Sequence, residues 1–394
     1  MRIIDIRECT VGLEGNVANA LVNFRDHTVS LVALLSDQQR DGKPVVGFGF
    51  NSIGRFGQSG ILRERLIPRL RVARDEELLT ADGLSFDPGA FAKISMRNEK
   101  PGGHGDRAGA VAALELAAWD LKAKLADEPA YQTIRKYFNL SSNSNSADVY
   151  AAGGYYYPDD SLSRLQDELK TYQDMGYEAF KVKVGGAPLS DDMRRIESAI
   201  AVAGAGKRLA IDANGRFNMR QAEQMAKEIE ALELRWYEEP GDPLDFELNK
   251  HITEIYHSAV ATGENLFSVI DTKNLIQFGG MRAGKDIFQM DPGLSYGLTE
   301  YVGMLGIMEA SGFKREQCYP HGGHLINLHV VIGLGLGGCE AYPGVFQPFG
   351  GYSSQNEVQE GRILPSDAPG FGLEQKENLY PHLQLLSETV DGKN

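Results

Sequence analysis

Six polar residues recur at nearly even intervals along this chain, and no other feature constrains its fold as tightly. From Lys183 to Asp212 is 29 residues, to Glu238 another 26, to Glu264 another 26, to Asp291 another 27 and to His321 another 30. Each lies at the end of a short apolar run, and each run is followed by a polar, amphipathic stretch. The runs are DVYAAGG, AFKVKVGG, RLAIDANG, RWYEEPG, AVATGEN, DIFQMDPG, EQCYPHGG and LGGCEAYPG. One strand with its returning helix consumes about this much chain, so the repetition predicts a parallel β/α barrel. A barrel gathers its strand ends on one rim, which brings the six residues together, with Glu340 from the eighth run beside them. Structural ion pairs have no reason to recur at strand ends with this period.

The chain before these runs reads differently. Residues 1 to about 35 alternate as a strand, a turn and a second strand, and GFGFNSIGRFGQSG (Gly47 to Gly60) reads as an ordered loop between a strand and a helix, suited to covering a substrate. Helices are predicted over Ile61–Leu70 and, from its alanines and 3.6-residue period, over Ala108–Lys124. LSSNSNSAD (Leu140 to Asp148) is small, polar and turn-prone, and marks the boundary between two parts. Two are expected of 394 residues, because single cores seldom grow past ~250–300.

Lys+Arg 40 against Asp+Glu 54 gives a net charge of −14, which repels phosphate backbones and anionic lipid, and no basic run offsets it. Neither nucleic acid nor a membrane is an expected partner. Cys9, Cys318 and Cys339 are too few and scattered for a disulfide framework or a cysteine zinc site. MRIIDIREC has no signal-type apolar core, so the expected location is cytoplasmic.

Asp212, Glu238 and Glu264 come from three successive strand ends, and three converging carboxylates repel unless a hard divalent cation neutralises them. Magnesium prefers oxygen donors, whereas zinc would recruit Cys or His. YEEP offers both Glu238 and Glu239; strand alternation lets only one reach the metal, and the spacing does not say which. Lys181 and Lys183 share one strand face, and two ammonium groups this close should lower each other's proton affinity and leave one usable as a base. His321, one unit after Asp291, has a carboxylate placed to fix its tautomer and make it a second acid/base. His324 and His329 read as structural, on a helix. GLGLGG (Gly333 to Gly338) precedes a strand and is therefore no dinucleotide loop. A carboxylate-held metal between a lysine and a His/Asp pair suits one chemistry, removal of a proton α to a carboxylate.

The ordered motifs KVK, DAN, YEEP, TGEN, MDPG and YPHGG, with ELAAWDLKAK before them and APGFGLE after, resemble the mandelate racemase group of the enolase superfamily over nearly the whole chain. The resemblance implies an α/β fold: a modified TIM barrel, (β/α)7β, over 147–366, and an α+β capping domain from 1–140 completed by 367–394. It implies one Mg²⁺ per subunit on Asp212, Glu238 and Glu264, with Lys183 as one acid/base and His321 with Asp291 as the other. Lys181 would tune Lys183 and contact the substrate carboxylate, Glu340 would hydrogen-bond the enediolate, and Asn214 of DAN would also touch the substrate. Cap loops near Glu14–Ala20 and Gly47–Gly60 would set specificity, and assembly into homo-oligomers is expected.

Within the group, GFGFNSIGRFGQSG, KPGGHGDRAGA, DPGLSYGLTEY and YPHGGH look most like tartrate dehydratases, which implies dehydration of D-tartrate, a hydroxy diacid, to oxaloacetate. The distal carboxylate needs a cap cation, for which Lys100 and Arg55 are the candidates. Rival readings are dehydration of another acid sugar, racemisation of a 2-hydroxy acid, and a catalytically silent metal-binding barrel; the intact rim residues argue against the last. A dication, Lys181, Lys183 and protonated His321 would balance the carboxylates of Asp212, Glu238, Glu264, Asp291 and Glu340, so the overall acidity does not exclude a dianionic substrate.

Overall fold

The computed structural model describes residues 1–141, 144–157 and 161–388. Part of the linker stretch and the last residues of the tail expected to complete the cap lie outside these.

The chain opens with an antiparallel sheet, β1 (Ile3–Gly12), β2 (Thr28–Arg40) and β3 (Lys43–Phe50), in the order β1-β2-β3. Two helices, α1 (Pro88–Ser95) and α2 (Asp106–Leu125), pack beside it, and α3 (Ala130–Tyr137) follows. α2 is buried on almost every side, and the alanines that predict it are there for close packing. β3 runs through GFGF, so the loop expected from Gly47 begins only at Asn51. The glycines serve contact: a Cβ at Gly47 would lie within 2.7 Å of atoms of Ala117 and Leu121, and one at Gly49 within 3.0 Å of Ala113 and Ala117. Strand and helix backbones touch because neither carries bulk between them.

The barrel is built from β4 (Ala147–Gly153), β5 (Phe180–Lys183), β6 (Leu209–Asp212), β7 (Trp236–Glu238), β8 (Val260–Thr262), β9 (Ile287–Phe288) and β10 (Cys339–Ala341). β4 through β9 pair in sequence, all parallel, and β10 pairs parallel with β4. The seventh stave is the segment at Cys318, bridged to Phe288, with the Gly337 amide donating to the Cys318 carbonyl at 3.0 Å on its other side. All eight runs read from the sequence are therefore staves. Helices α4 (Leu162–Asp174), α5 (Leu189–Ala203), α6 (Met219–Ile229), α7 (Phe246–Ile255), α8 (Val269–Phe278), α9 (Leu298–Ala310) and α10 (Leu325–Leu334) connect them. This is the expected α/β fold, a barrel with a separate antiparallel cap.

Alternation sorts the strand side chains. Leu209, Ile211, Phe180, Val182 and Tyr237 join the large apolar cluster that includes the surrounding helices, while Tyr150, Ala210, Trp236 and Ala261 form a small cluster inside the barrel. Tyr150 and Trp236 meet edge to face at 5.0 Å and plug the interior beneath the rim. Near its end the chain returns to the cap, where α11 (Tyr380–Ser387) packs on β1 and β2. Cap and barrel are also joined by buried Glu115 of α2, whose carboxylate accepts from the Leu298 and Thr299 amides (2.8 and 3.0 Å) at the N-terminus of α9, where helix amides lack internal partners. No helix among the described residues is long and apolar enough to cross a membrane.

Candidate active site

Parallel register sets the rim. Lys183 pairs opposite Asp212 and Asp212 opposite Glu238, so three consecutive staves present inward groups at one level. Glu238 pairs with Ala261, and Glu264 lies beyond the end of β8, in its loop. One carboxylate oxygen each from Asp212, Glu238 and Glu264 lies within 4.8 Å of the others. The choice left open in YEEP is resolved by the backbone: Glu239 has φ +37° and turns its carboxylate away to accept from Asn265 Nδ2 at 2.8 Å. An all-oxygen donor set with no His or Cys suits a hard divalent cation such as Mg²⁺.

The lysines lie among these acids. Lys183 Nζ is 2.5 Å from Asp212 Oδ2. Lys181 Nζ is 2.6 Å from Glu238 Oε1, 2.8 Å from Glu340 Oε1 and 3.6 Å from Asp212 Oδ2. Burial works against the Lys181 charge, but Glu238, Glu340 and Asp212 outweigh it and hold its pKa well above the usual lysine value. The lowering expected of the lysine pair is thus absent at Lys181. Burial and the Asp212 charge raise Glu238 in spite of Lys181, whereas Lys183 and Lys181 overcome burial to hold Asp212 low. Glu238 is further fixed by Trp236 Nε1 (2.8 Å) and Gln289 Nε2 (2.7 Å), both donating to Oε2.

His321 stands on the far side of the rim. Its Nδ1 is 3.2 Å from Asp291 Oδ2, and its Nε2 is 3.0 Å from Tyr342 Oη and 3.7 Å from Glu264 Oε2. Burial disfavours the imidazolium, yet Glu264, Asp291 and Glu340 push the His321 pKa up to about 9. Asp291 is held by the Gly293 amide (2.7 Å) and Asn327 Nδ2 (3.2 Å) on Oδ1. Glu340 Oε2 accepts from the Gly322 amide (2.9 Å) and Tyr342 Oη (3.0 Å).

Above the rim lies a cavity of about 440 Å³, lined by barrel residues Lys183, Asn214, Glu239, Glu264, Asn265 and His321 and by cap residues Asn19, Leu21, Ile53, Gly54 and Arg55. Both expected cap loops therefore reach it. Asn214 donates its amide and Nδ2 to Asp212 (2.8 and 3.2 Å), while its Oδ1 is buried without a partner among the described residues. Arg55 Nη2 donates to Asn265 Oδ1 at 2.5 Å, and its guanidinium lies 5.3 Å from the Phe267 ring centre.

Three expected substrate contacts are not at the cavity. Lys100 is exposed and lines none of it, because Arg107 captures the Lys100 carbonyl (3.0 Å) together with that of Gly102 and folds KPGG against itself. Lys181 and Glu340 lie beneath the floor, ion-paired to each other. Conversely, Glu239, Asn265, Tyr155 and Tyr342 line the cavity without having been singled out for it. The signal for Tyr342 was its position two residues past Glu340, on the same strand face. His324 and His329 are buried at the start and in the middle of α10; the Tyr131 amide donates to His329 Nδ1 at 3.3 Å.

Residues 164–379 match the family described as Enolase C-terminal domain-like, a stretch covering more than half the chain. Over 98% of this chain and 100% of that protein, the sequence is 24% identical to an arabinonate dehydratase of Saccharolobus solfataricus. It is 26% identical to an L-talarate/galactarate dehydratase of Salmonella typhimurium over 89% of this chain and 82% of that one. The crystal structure of the Salmonella enzyme liganded with Mg and L-lyxarohydroxamate superposes with a TM-score of 0.77 at 22% identity, covering 95% of this chain and 90% of that one. A racemase from Streptomyces coelicolor with bound magnesium gives 0.78 at 21% identity, covering 98% and 100%. The structural likenesses concern the fold, and the family match concerns the barrel that carries every rim residue described above. The chain is an enzyme of the enolase superfamily, with its neighbours in the mandelate racemase group.

Proposed function

We propose that this enzyme is a Mg²⁺-dependent dehydratase of hydroxy acids, acting by removal of the proton α to a carboxylate, with D-tartrate as substrate and oxaloacetate as product. The observation that carries the reading is a three-carboxylate cation site flanked by a lysine on one side and a carboxylate-bound histidine on the other. The relatives named as arabinonate and L-talarate/galactarate dehydratases support dehydration of a hydroxy acid.

Asp212, Glu238 and Glu264 hold Mg²⁺, which when bound supplies positive charge to the substrate carboxylate and so acidifies the neighbouring C–H. Lys183 Nζ accepts the C2 proton. Lys181 and Glu340 stay beneath it as a fixed ion pair that maintains charge under the reacting carbons. His321 Nε2, released from Tyr342, gives its proton to the departing C3 hydroxyl, which leaves as water with the C–O electron pair. The enol that remains takes up a proton at C3 and gives up that of its C2 hydroxyl to water, becoming the keto acid. Arg55, the cap cation lining the cavity among the described residues, binds the distal carboxylate.

A second reading, dehydration of a longer acid sugar, is favoured by the cavity of about 440 Å³, which is roomy for a four-carbon acid. A panel of D-, L- and meso-tartrate, galactarate and arabinonate with Mg²⁺, scored for keto acid, separates the two. Turnover of D-tartrate alone supports the first reading, and turnover of the longer acids without any tartrate overturns it in favour of the second. Return of both epimers with no keto product would make the enzyme a racemase.

A further inference from the structure

The cap loop after β3 is tied at both ends to its own sheet and, through Ser52 near its start, to the barrel. At the base, Asn51 Oδ1 accepts from the Ser30 amide (2.7 Å), and the Gly57 and Gln58 amides donate to Thr28 Oγ1 (2.9 Å) and Ser30 Oγ (2.7 Å). One residue past Asn51, the Ser52 amide donates to the Gly293 carbonyl (3.0 Å), and Ser52 Oγ lies 3.0 Å from His324 Nε2. His324 Nδ1 accepts from the Asn327 amide at 3.4 Å as the N-cap of α10. A neutral imidazole that accepts at Nδ1 carries its proton on Nε2, so His324 donates to Ser52. Burial, opposed by Asp291, pulls the His324 pKa down to about 4 and keeps the ring neutral.

The same atoms surround the His321–Asp291 pair. A Cβ at Gly322 would meet Ser52 Oγ, Asp291 Oδ2 and His324 Nε2, all within 3.0 Å. Gly293, whose carbonyl receives Ser52, gives its own amide to Asp291. Two residues past Ser52, Gly54 lies over the His321 ring, where a Cβ would be 3.6 Å from Cε1, and the next residue is Arg55. We infer that Ser52 and His324 form a latch that docks the cap loop on the barrel and thereby places Arg55 in the cavity. Both are positioning residues, and what they position is the loop that selects substrates with a second carboxylate; this selectivity rests on the function proposed above.

The test uses Ser52→Ala, His324→Asn and the double variant. Asparagine retains an N-cap acceptor for α10 but does not reach Ser52. Trypsin cleavage after Arg55, followed by mass spectrometry on the Mg²⁺-loaded enzyme, reads the latch without reference to activity. Each single variant should cleave about fivefold faster than wild type, the expected effect of one lost hydrogen bond, and the double variant no faster than the faster single. KM for whichever diacid is turned over should rise by a similar factor with kcat little changed, and KM for a monoacid should not move. Cleavage at the wild-type rate in both singles, or multiplicative rates in the double variant, overturns the latch. Faster cleavage without a KM split retains the latch and removes the diacid reading of Arg55.

Discussion

Glu264→Gln should leave the metal-free protein close to wild-type stability and abolish the gain from Mg²⁺. Its oxygen lies within 4.8 Å of oxygens from Asp212 and Glu238, and at an effective dielectric near 20 each such pair repels by about 3.5 kcal/mol. Protonated His321, 3.7 Å away, returns about 4.5 kcal/mol on the same scale. Lys183, 2.5 Å from Asp212, and Lys181, 2.6 Å from Glu238, offset most of what remains, so the charge costs the metal-free fold little. Neutralising it should therefore leave the melting temperature in EDTA within about 2 °C of wild type. Wild type at a hundredfold excess of Mg²⁺ over its Kd should gain about 2.7 kcal/mol, a rise of about 3 °C that the variant lacks. Thermal melts with EDTA and with Mg²⁺ on both proteins give all four values. A variant that keeps the full Mg²⁺ response would refute the assignment of Glu264 to the cation.

Three further outcomes follow from particular contacts. Arg55→Leu should raise KM for a diacid by about tenfold or more, the loss of a charged hydrogen bond, while KM for a monoacid stays put in the same steady-state assay. Glu99 is held by Arg65, Arg69 and Arg107 at a pKa of about 2, below the usual 4.5. A depressed carboxylate stabilises the fold above its unfolded pKa and loses that contribution as pH falls towards its folded one. Glu99→Gln should accordingly be less stable than wild type in urea melts at pH 6, with the gap closing between pH 4.5 and about 2. Gly47→Ala puts a methyl group within 2.7 Å of α2 and should cost about 3 kcal/mol, read as a lower urea midpoint.

The barrel was legible because its signal is chemical as well as periodic: acids, lysines and histidine at strand ends mark both where a strand stops and which rim it joins. Glu264 shows the limit of that reading. It lies past the last paired residue of β8, and only coordinates reveal that the loop is what brings its oxygen to those of Asp212 and Glu238. GFGF reads as loop because glycine usually marks one; in the fold its glycines admit an alanine-rich helix, a long-range fact with no local trace. Lys100 is kept from the cavity by a nearer contact, Arg107 at the start of α2 taking its carbonyl, which residue type alone does not announce. Tyr155 and Tyr342 are buried like core aromatics, yet they line the cavity. Lys181 behaves unlike a lysine tuned by its neighbour because three carboxylates face it, a balance that residue spacing does not contain.

Proton removal by Lys183 is the central claim, and exchange of the substrate C2 proton tests it most directly. Proton NMR in D₂O with Mg²⁺, on the acid that wild type converts, separates abstraction from loss of the hydroxyl. His321→Asn should wash deuterium into C2 while forming no keto acid, because the base remains and the acid is gone. Lys183→Ala should neither exchange nor convert. Exchange or turnover persisting in Lys183→Ala would contradict the account.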